Sequence, residues 1–279
     1  MNRSTFRKGF APALLPATLA LLACGCGGGG GTIGPGGGSA GNGGNGSGGN
    51  GGTTTNASLG GIWRGTDAAS GQQMLGIIAE TGEFNFLRSD NIQYVGTATT
   101  SVNNVTGNIE GIVPLGFTFG DGATHATGTL TGTVHERQTL STNIKFATDL
   151  GSVSSGVASL NFDTLYNDSS ALSTVAGNYT STTNGPVFNI NSNGAVFLQD
   201  PATGCVLNGT VSIINARYNA YRVLFSYSNC QNQSVALNGI SFSGLAMLDR
   251  TISPVGIVIA ATGATFGKKY GVIYRMSRS

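Results

Sequence analysis

The chain has 279 residues, 46 of them glycine, and only 9% are charged, against about 25% in an average globular domain. A hydrophobic fraction of 39% excludes a wholly disordered acidic or basic tail. A net charge of +2 argues against a nucleic-acid binder, which needs a clustered basic surface.

The chain opens with Arg3, Arg7 and Lys8 and no acidic residue, followed by an apolar stretch from Phe10 to Ala23. Pro12 and Pro16 interrupt that stretch. It is too short for a membrane-spanning helix, which needs about 20 apolar residues, and fits a secretory signal. The stretch ends in Leu21-Leu22-Ala23-Cys24-Gly25. This resembles the lipobox of Gram-negative bacterial lipoproteins. The resemblance implies cleavage after residue 23 and a diacylglycerol on the Cys24 thiol, with a further acyl chain such as palmitate on the new amine. Two or more chains hold a protein stably on a membrane. Cys26 is a poorer alternative acceptor. The residue after Cys24 is Gly25 rather than Asp, which in this class implies the outer membrane. Loss of residues 1–23 leaves 11 of the 14 basic residues against 12 acidic ones, so the mature chain is close to neutral.

From Gly25 to Gly52, 18 of 28 residues are glycine. Such a segment cannot bury apolar surface and reads as a flexible coil. Residues 24–58 are therefore expected to be a disordered, lipid-anchored tether. Its root-mean-square reach is roughly 30–35 Å.

From Leu59 onward apolar residues alternate with Ser, Thr, Asn and Gly in short runs, the pattern of β-strands. In the second half eight runs stand out, at about 176–182, 186–191, 194–199, 205–214, 220–229, 234–249, 254–261 and 269–276. Phe188 and Ile190 face Val196 and Leu198 across Asn193-Gly194, a hairpin signal. The first half lies beside the second in one register. Gly61 matches Gly177, Gly82 matches Gly194, Gly96 matches Gly209, and Glu136-Arg137 matches Asp249-Arg250. The fold expected is all-β: two tandem, repeat-related, eight-stranded antiparallel barrel-like domains at residues 59–165 and 175–279, joined by a connector at 166–174. A sandwich is the alternative. Closure is favoured because the strands carry few of the charges that protect an open edge. Each half is expected to fold by itself.

An exported protein meets an oxidising compartment, which permits a disulfide. If the runs near 205–214 and 220–229 pair about Ala216-Arg217-Tyr218-Asn219, facing residue numbers sum to 435, and Cys205 sits opposite Cys230. That bridge would contribute on the order of 3–4 kcal/mol.

Residues with chemistry are sparse. His125 and His135 are the only histidines, with no metal-ligand spacing around them. No Gly-x-Ser-x-Gly elbow occurs. Glu80 and Glu83 are the closest acidic pair, and nothing singles out two facing carboxylates. Asp121 and His125 read as a surface turn, Trp63 as core, Arg137 and Arg250 as barrel-end ion pairs, and Lys268-Lys269 as a solvated turn. No catalytic residue, metal site or cofactor is expected, and no ligand-binding residue is identified. The Gly61-Ile62-Trp63 start resembles lipocalins, and the order of lipobox, glycine tether and β-barrel resembles surface lipoproteins of the transferrin-binding-protein type. The expectation is a non-catalytic, lipid-anchored outer-membrane lipoprotein, facing the periplasm or the cell surface. It would act in macromolecular binding or envelope structure, with an envelope or extracellular protein as partner. The alternative is a lipocalin-like carrier of a small apolar ligand. The second half looks filled inside, and the first, richer in Thr and Gly, looks looser.

Overall fold

The computed structural model describes residues 55–181 and 185–279. Cys24, Cys26 and the glycine-rich stretch up to residue 54 lie outside the described residues.

Among the described residues sixteen strands form two closed antiparallel barrels rather than a sandwich. The first barrel comprises β1 (Gly61–Asp67), β2 (Gln73–Ile78), β3 (Glu83–Arg88), β4 (Gln93–Ser101), β5 (Asn104–Ile112), β6 (His125–His135), β7 (Thr139–Thr148) and β8 (Val153–Asp163). The second comprises β9 (Gly177–Thr180), β10 (Phe188–Ile190), β11 (Ala195–Gln199), β12 (Val206–Ile213), β13 (Tyr221–Ser228), β14 (Ser241–Asp249), β15 (Gly256–Thr265) and β16 (Lys268–Arg278). Each strand pairs with its sequence neighbour, and β1–β8 and β16–β9 close the rings. The period-2 pattern has its plain physical meaning here: in β7, Leu140, Thr142 and Ile144 point into the barrel and are buried, while Thr139, Ser141 and Asn143 face outward. A 3₁₀ turn at Thr164–Asn167 and a single helical turn at Leu172–Val175 join the barrels.

The duplication is visible in detail. Gly82 and Gly194 sit at φ +83° and +81°, and their carbonyls accept from Ala98 N (2.9 Å) and Val211 N (2.7 Å). A Cβ at either glycine would lie 2.2–2.3 Å from the carbonyl oxygen of the same residue, Ala98 or Val211. Trp63 Nε1 donates to Leu59 O at 3.1 Å, and Tyr179 Oη donates to Val175 O at 2.8 Å, so both barrels begin with a buried aromatic tied four residues back.

The hairpin of β10 and β11 has the expected register, Phe188↔Leu198 and Ile190↔Val196. The hairpin of β12 and β13 does not. Its register is Val206↔Ser228 and Leu207↔Tyr227, one residue away from the expected pairing. The disulfide Cys205–Cys230 nevertheless forms, with a Cα–Cα distance of 4.0 Å. Asn229 takes φ +60° just beyond the ladder and adds one residue to that side, which carries Cys230 round to Cys205. Asn238 holds it there, accepting from Cys230 N at 2.8 Å and donating to Cys230 O at 3.0 Å. The run expected at 234–249 is strand only from Ser241, because Asn232–Leu237 forms a 3₁₀ helix.

Each barrel has its own core, the first around Trp63, Phe84 and Tyr94, the second around Tyr179, Phe188, Phe225 and Phe242. A third cluster lies between them: Ile62, Ile77, Tyr166, Ala220, Leu245 and Met247. Polar contacts frame it. Asn85 Nδ2 donates to Ala260 O at 2.9 Å, Arg222 Nη2 meets Glu83 Oε2 at 2.5 Å, and Tyr166 stacks on Tyr218 at 4.7 Å between centroids. The halves are thus two sheets and two cores that share an apolar interface.

Candidate functional site

The first barrel is not loose inside. The space among Met74, Phe84, Phe86, Val105, Leu130 and Leu160 is about 10 Å³, which is no more than a single water needs. The alternating apolar residues meet at the axis; in β6 the Thr face outward, while Gly128 and Gly132 take inward positions between Ala126, Leu130 and Val134, where a Cβ would meet the β7 backbone at 2.0–2.1 Å.

Room appears at one end, where the β1–β2, β3–β4, β5–β6 and β7–β8 connections lie. A cavity of about 170 Å³ opens there. Its floor is Met74 of β2, Tyr94 of β4, and Ile144 and Phe146 of β7. Its wall is Asp67 at the end of β1 and Arg88 at the end of β3. Arg88 Nη1 meets Asp67 Oδ2 at 3.2 Å, and its Nη2 meets Asp90 Oδ2 at 2.6 Å. Burial works against the charged guanidinium. The Asp90 hydrogen bond and the charges of Asp90 and Asp67 outweigh it, and hold the Arg88 pKa above its ordinary value. Burial pushes the Tyr94 hydroxyl up to about 12, against the pull of Arg88, so it is a neutral donor at physiological pH. Ser70 Oγ donates to Asp67 Oδ2 at 2.7 Å, and Ala69 N donates to Asp67 Oδ1 at 3.0 Å. The carboxylate and guanidinium therefore hold each other and the β1–β2 turn. The arrangement suits binding, with an apolar floor below a fixed polar wall.

On the outer side of the barrel wall, next to this cavity, lies an open groove of about 480 Å³ lined by Ala68, Ala69, Asn143, Lys145, Ser155 and Val157. Both spaces border Ser155, Gly156 and Val157 of β8.

The residues picked out from sequence are scattered rather than gathered. Trp63 is core, as expected. Asp121 caps its own turn, accepting from Ala123 N at 3.0 Å. His125 is not in that turn but opens β6. Its Nδ1 lies 3.0 Å from Asp149 Oδ1 and its Nε2 3.3 Å from Glu110 Oε2. The two carboxylates lie on opposite sides of one ring, a hydrogen-bonding arrangement rather than a ligand set. Among the described residues no group of His, Cys, Asp or Glu is placed to hold a metal. Lys269 is not in a solvated turn: it lies in β16 and pairs with Glu110 across the inter-barrel contact. Arg250 is a barrel-end ion pair, but with Asp168 at 3.3 Å rather than its neighbour Asp249. Arg137 keeps its expected ion pair, with Nε 4.0 Å from Glu136 Oε1, and also lies over aromatic rings, 5.1 Å from Tyr218 and 5.7 Å from Phe162. Glu80 and Glu83 separate, the first to Ser58 and Tyr166, the second to Arg222. The mouth of the first barrel had one sequence signal that went unread. Ser154-Ser155-Gly156 breaks the apolar alternation of β8 where the wall opens.

No protein-family model matches this chain, and a comparison with curated proteins gives no match.

Proposed function

We propose that this chain is a non-catalytic, lipid-anchored lipoprotein of the Gram-negative outer membrane that binds a macromolecule on its barrel surface. The observation that carries the binding part is the filled interior. The space of about 10 Å³ among the core side chains of the first barrel favours contact on the outside and at the barrel mouth over a ligand carried inside it. In the first barrel the carrier reading rests on the cavity at the mouth, whose 170 Å³ is small beside the 300–1,000 Å³ of ordinary ligand pockets. The anchoring part rests on the order of basic residues, apolar stretch and Leu21-Leu22-Ala23-Cys24.

Replacing Cys24 tests the anchor. Cys24→Ala should leave unprocessed precursor or release the protein from the membrane fraction. A variant still processed, acylated and membrane-bound removes Cys24 from the reading. For the binding part, the delipidated mature chain is used as bait on envelope extract, with mass spectrometry of both proteins and lipids. Enrichment of a lipid alone would favour the carrier.

A further inference from the structure

Strand β8 has a partner on both sides for only part of its length. It pairs with β7 from Val153 to Asn161, but with β1 only from Ala158 to Asp163. Beyond that point β1 turns away through Ala68–Gly71, where Gly71 N bonds Asp67 O at 2.7 Å.

Backbone directions along the exposed stretch follow from two bonds. Thr148 N donates to Ser152 O at 2.9 Å across the β7–β8 turn. Alternate residues of an antiparallel strand send both backbone groups to the same neighbour, so Ser154 and Gly156 face β7. Ala68 N donates to Val157 O at 2.7 Å on the opposite side. Val153 and Ser155 therefore direct N–H and C=O away from β7, and among the described residues no strand lies there to receive them.

Proteins guard such edges with charges, proline or bulges. Val153-Ser154-Ser155-Gly156-Val157 has no charged residue and no proline, and Val153 and Val157 are exposed at 80% and 42%. The two spaces described above lie on the two faces of this edge. Alternate residues of an added strand would point one into each. The inner space has the apolar floor of Met74, Tyr94, Ile144 and Phe146. Its volume of about 170 Å³ is enough for a single small apolar side chain resting on that floor. The outer groove contains Lys145, which lies opposite Ser155 in the ladder.

We infer that Val153–Val157 is a strand-addition site for an extended segment of a partner polypeptide, one apolar side chain of which enters the inner cavity while its acidic neighbours lie over Lys145. Only an extended chain presents donors and acceptors at the spacing this edge requires. The inference rests on the macromolecule-binding reading and specifies its occupant.

The full mature chain, purified in detergent, is titrated with fluorescein-labelled Thr-Glu-Leu-Glu-Thr and followed by fluorescence anisotropy. Saturable binding is expected. It should weaken at least tenfold for Ser155→Pro, which deletes an edge N–H that the barrel does not use. It should weaken equally for Gly156→Leu, which fills the inner cavity from a position where an added Cβ meets nothing nearer than Asp67 Oδ1 at 3.7 Å. Lys145→Glu should shift preference to Thr-Lys-Leu-Lys-Thr. Circular dichroism checks that each variant folds, and Gly156→Leu serves if Ser155→Pro does not. The inference falls if wild type shows no saturable binding up to millimolar peptide, or if both folded edge variants bind as wild type does. It also falls if binding appears only after residues 27–52 are deleted, which makes the tether the occupant. Wild-type dimers lost in Ser155→Pro would make a second copy the occupant and overturn it too. Continued capture of envelope proteins by Ser155→Pro would overturn this site and leave the wider binding reading standing.

Discussion

Phe266 sits at φ +48° at the tip of the β15–β16 hairpin with its side chain fully exposed. A left-handed conformation at a bulky non-glycine residue costs on the order of 1–3 kcal/mol, and here no burial offsets it. Asn tolerates that region far better. Phe266→Asn should therefore raise stability by about 1 kcal/mol, read as a higher denaturant midpoint at unchanged slope. An unchanged or lower midpoint would mean the ring makes a stabilising contact in solution. The same conformation explains a sequence-level error. Hairpin counting places Cys205 opposite Cys230, and the bridge is real, but the ladder runs one residue out. The difference is one left-handed residue, Asn229, just outside the strand. Sequence marks Asn as able to adopt that conformation and says nothing of whether it does.

Among the elements, strand number, order and pairing were legible, because alternation and turn residues are local. What covers an outward face was not. Asn85 and Gln93 look like solvent-facing polar positions, yet both are buried against the second barrel, with Gln93 Nε2 3.4 Å from Ala261 O. The cavity at the barrel mouth was equally hidden, since Asp67 and Arg88 lie 21 residues apart and meet only through the β1–β2–β3 meander. One inter-element contact has a pH signature. Burial raises the Glu110 pKa, but Lys269 of β16 and His125 of β6 outweigh it, and the net shift is below the ordinary 4.5. The native state then keeps Glu110 ionised to lower pH than the unfolded chain does. Its stabilisation is whole above about pH 4.5 and is lost as pH falls through the lowered native value. Glu110→Gln should lower stability at pH 7 by no more than about 1 kcal/mol, given solvent screening of a partly exposed pair. The penalty should shrink towards pH 3, as denaturation midpoints at the two pH values will show. An equal loss at both would assign the effect to packing.

At the scale of the molecule, the cluster of Ile62, Ile77, Tyr166, Ala220, Leu245 and Met247 binds the barrels together. The expectation of self-sufficient halves takes no account of it. Expressed alone, residues 172–279 should still give a β-type circular dichroism spectrum, because sheet and core are complete within the second barrel. They should also melt lower than the intact chain and self-associate in sedimentation, since Ala220, Leu245 and Met247 would be uncovered. A monomeric fragment with the melting temperature of the whole would show that the interface adds nothing. The pairing of successive strands within each barrel has a further consequence in time. A chain made from its N-terminus leads with the first barrel, and that ring needs nothing beyond Asp163 to close. The neighbouring hairpins form locally, whereas pairing β1 with β8 joins the two ends of the ring and is the slow step. The second barrel can then condense on a finished surface, with the greasy flank around Ile62 and Ile77 as its mould.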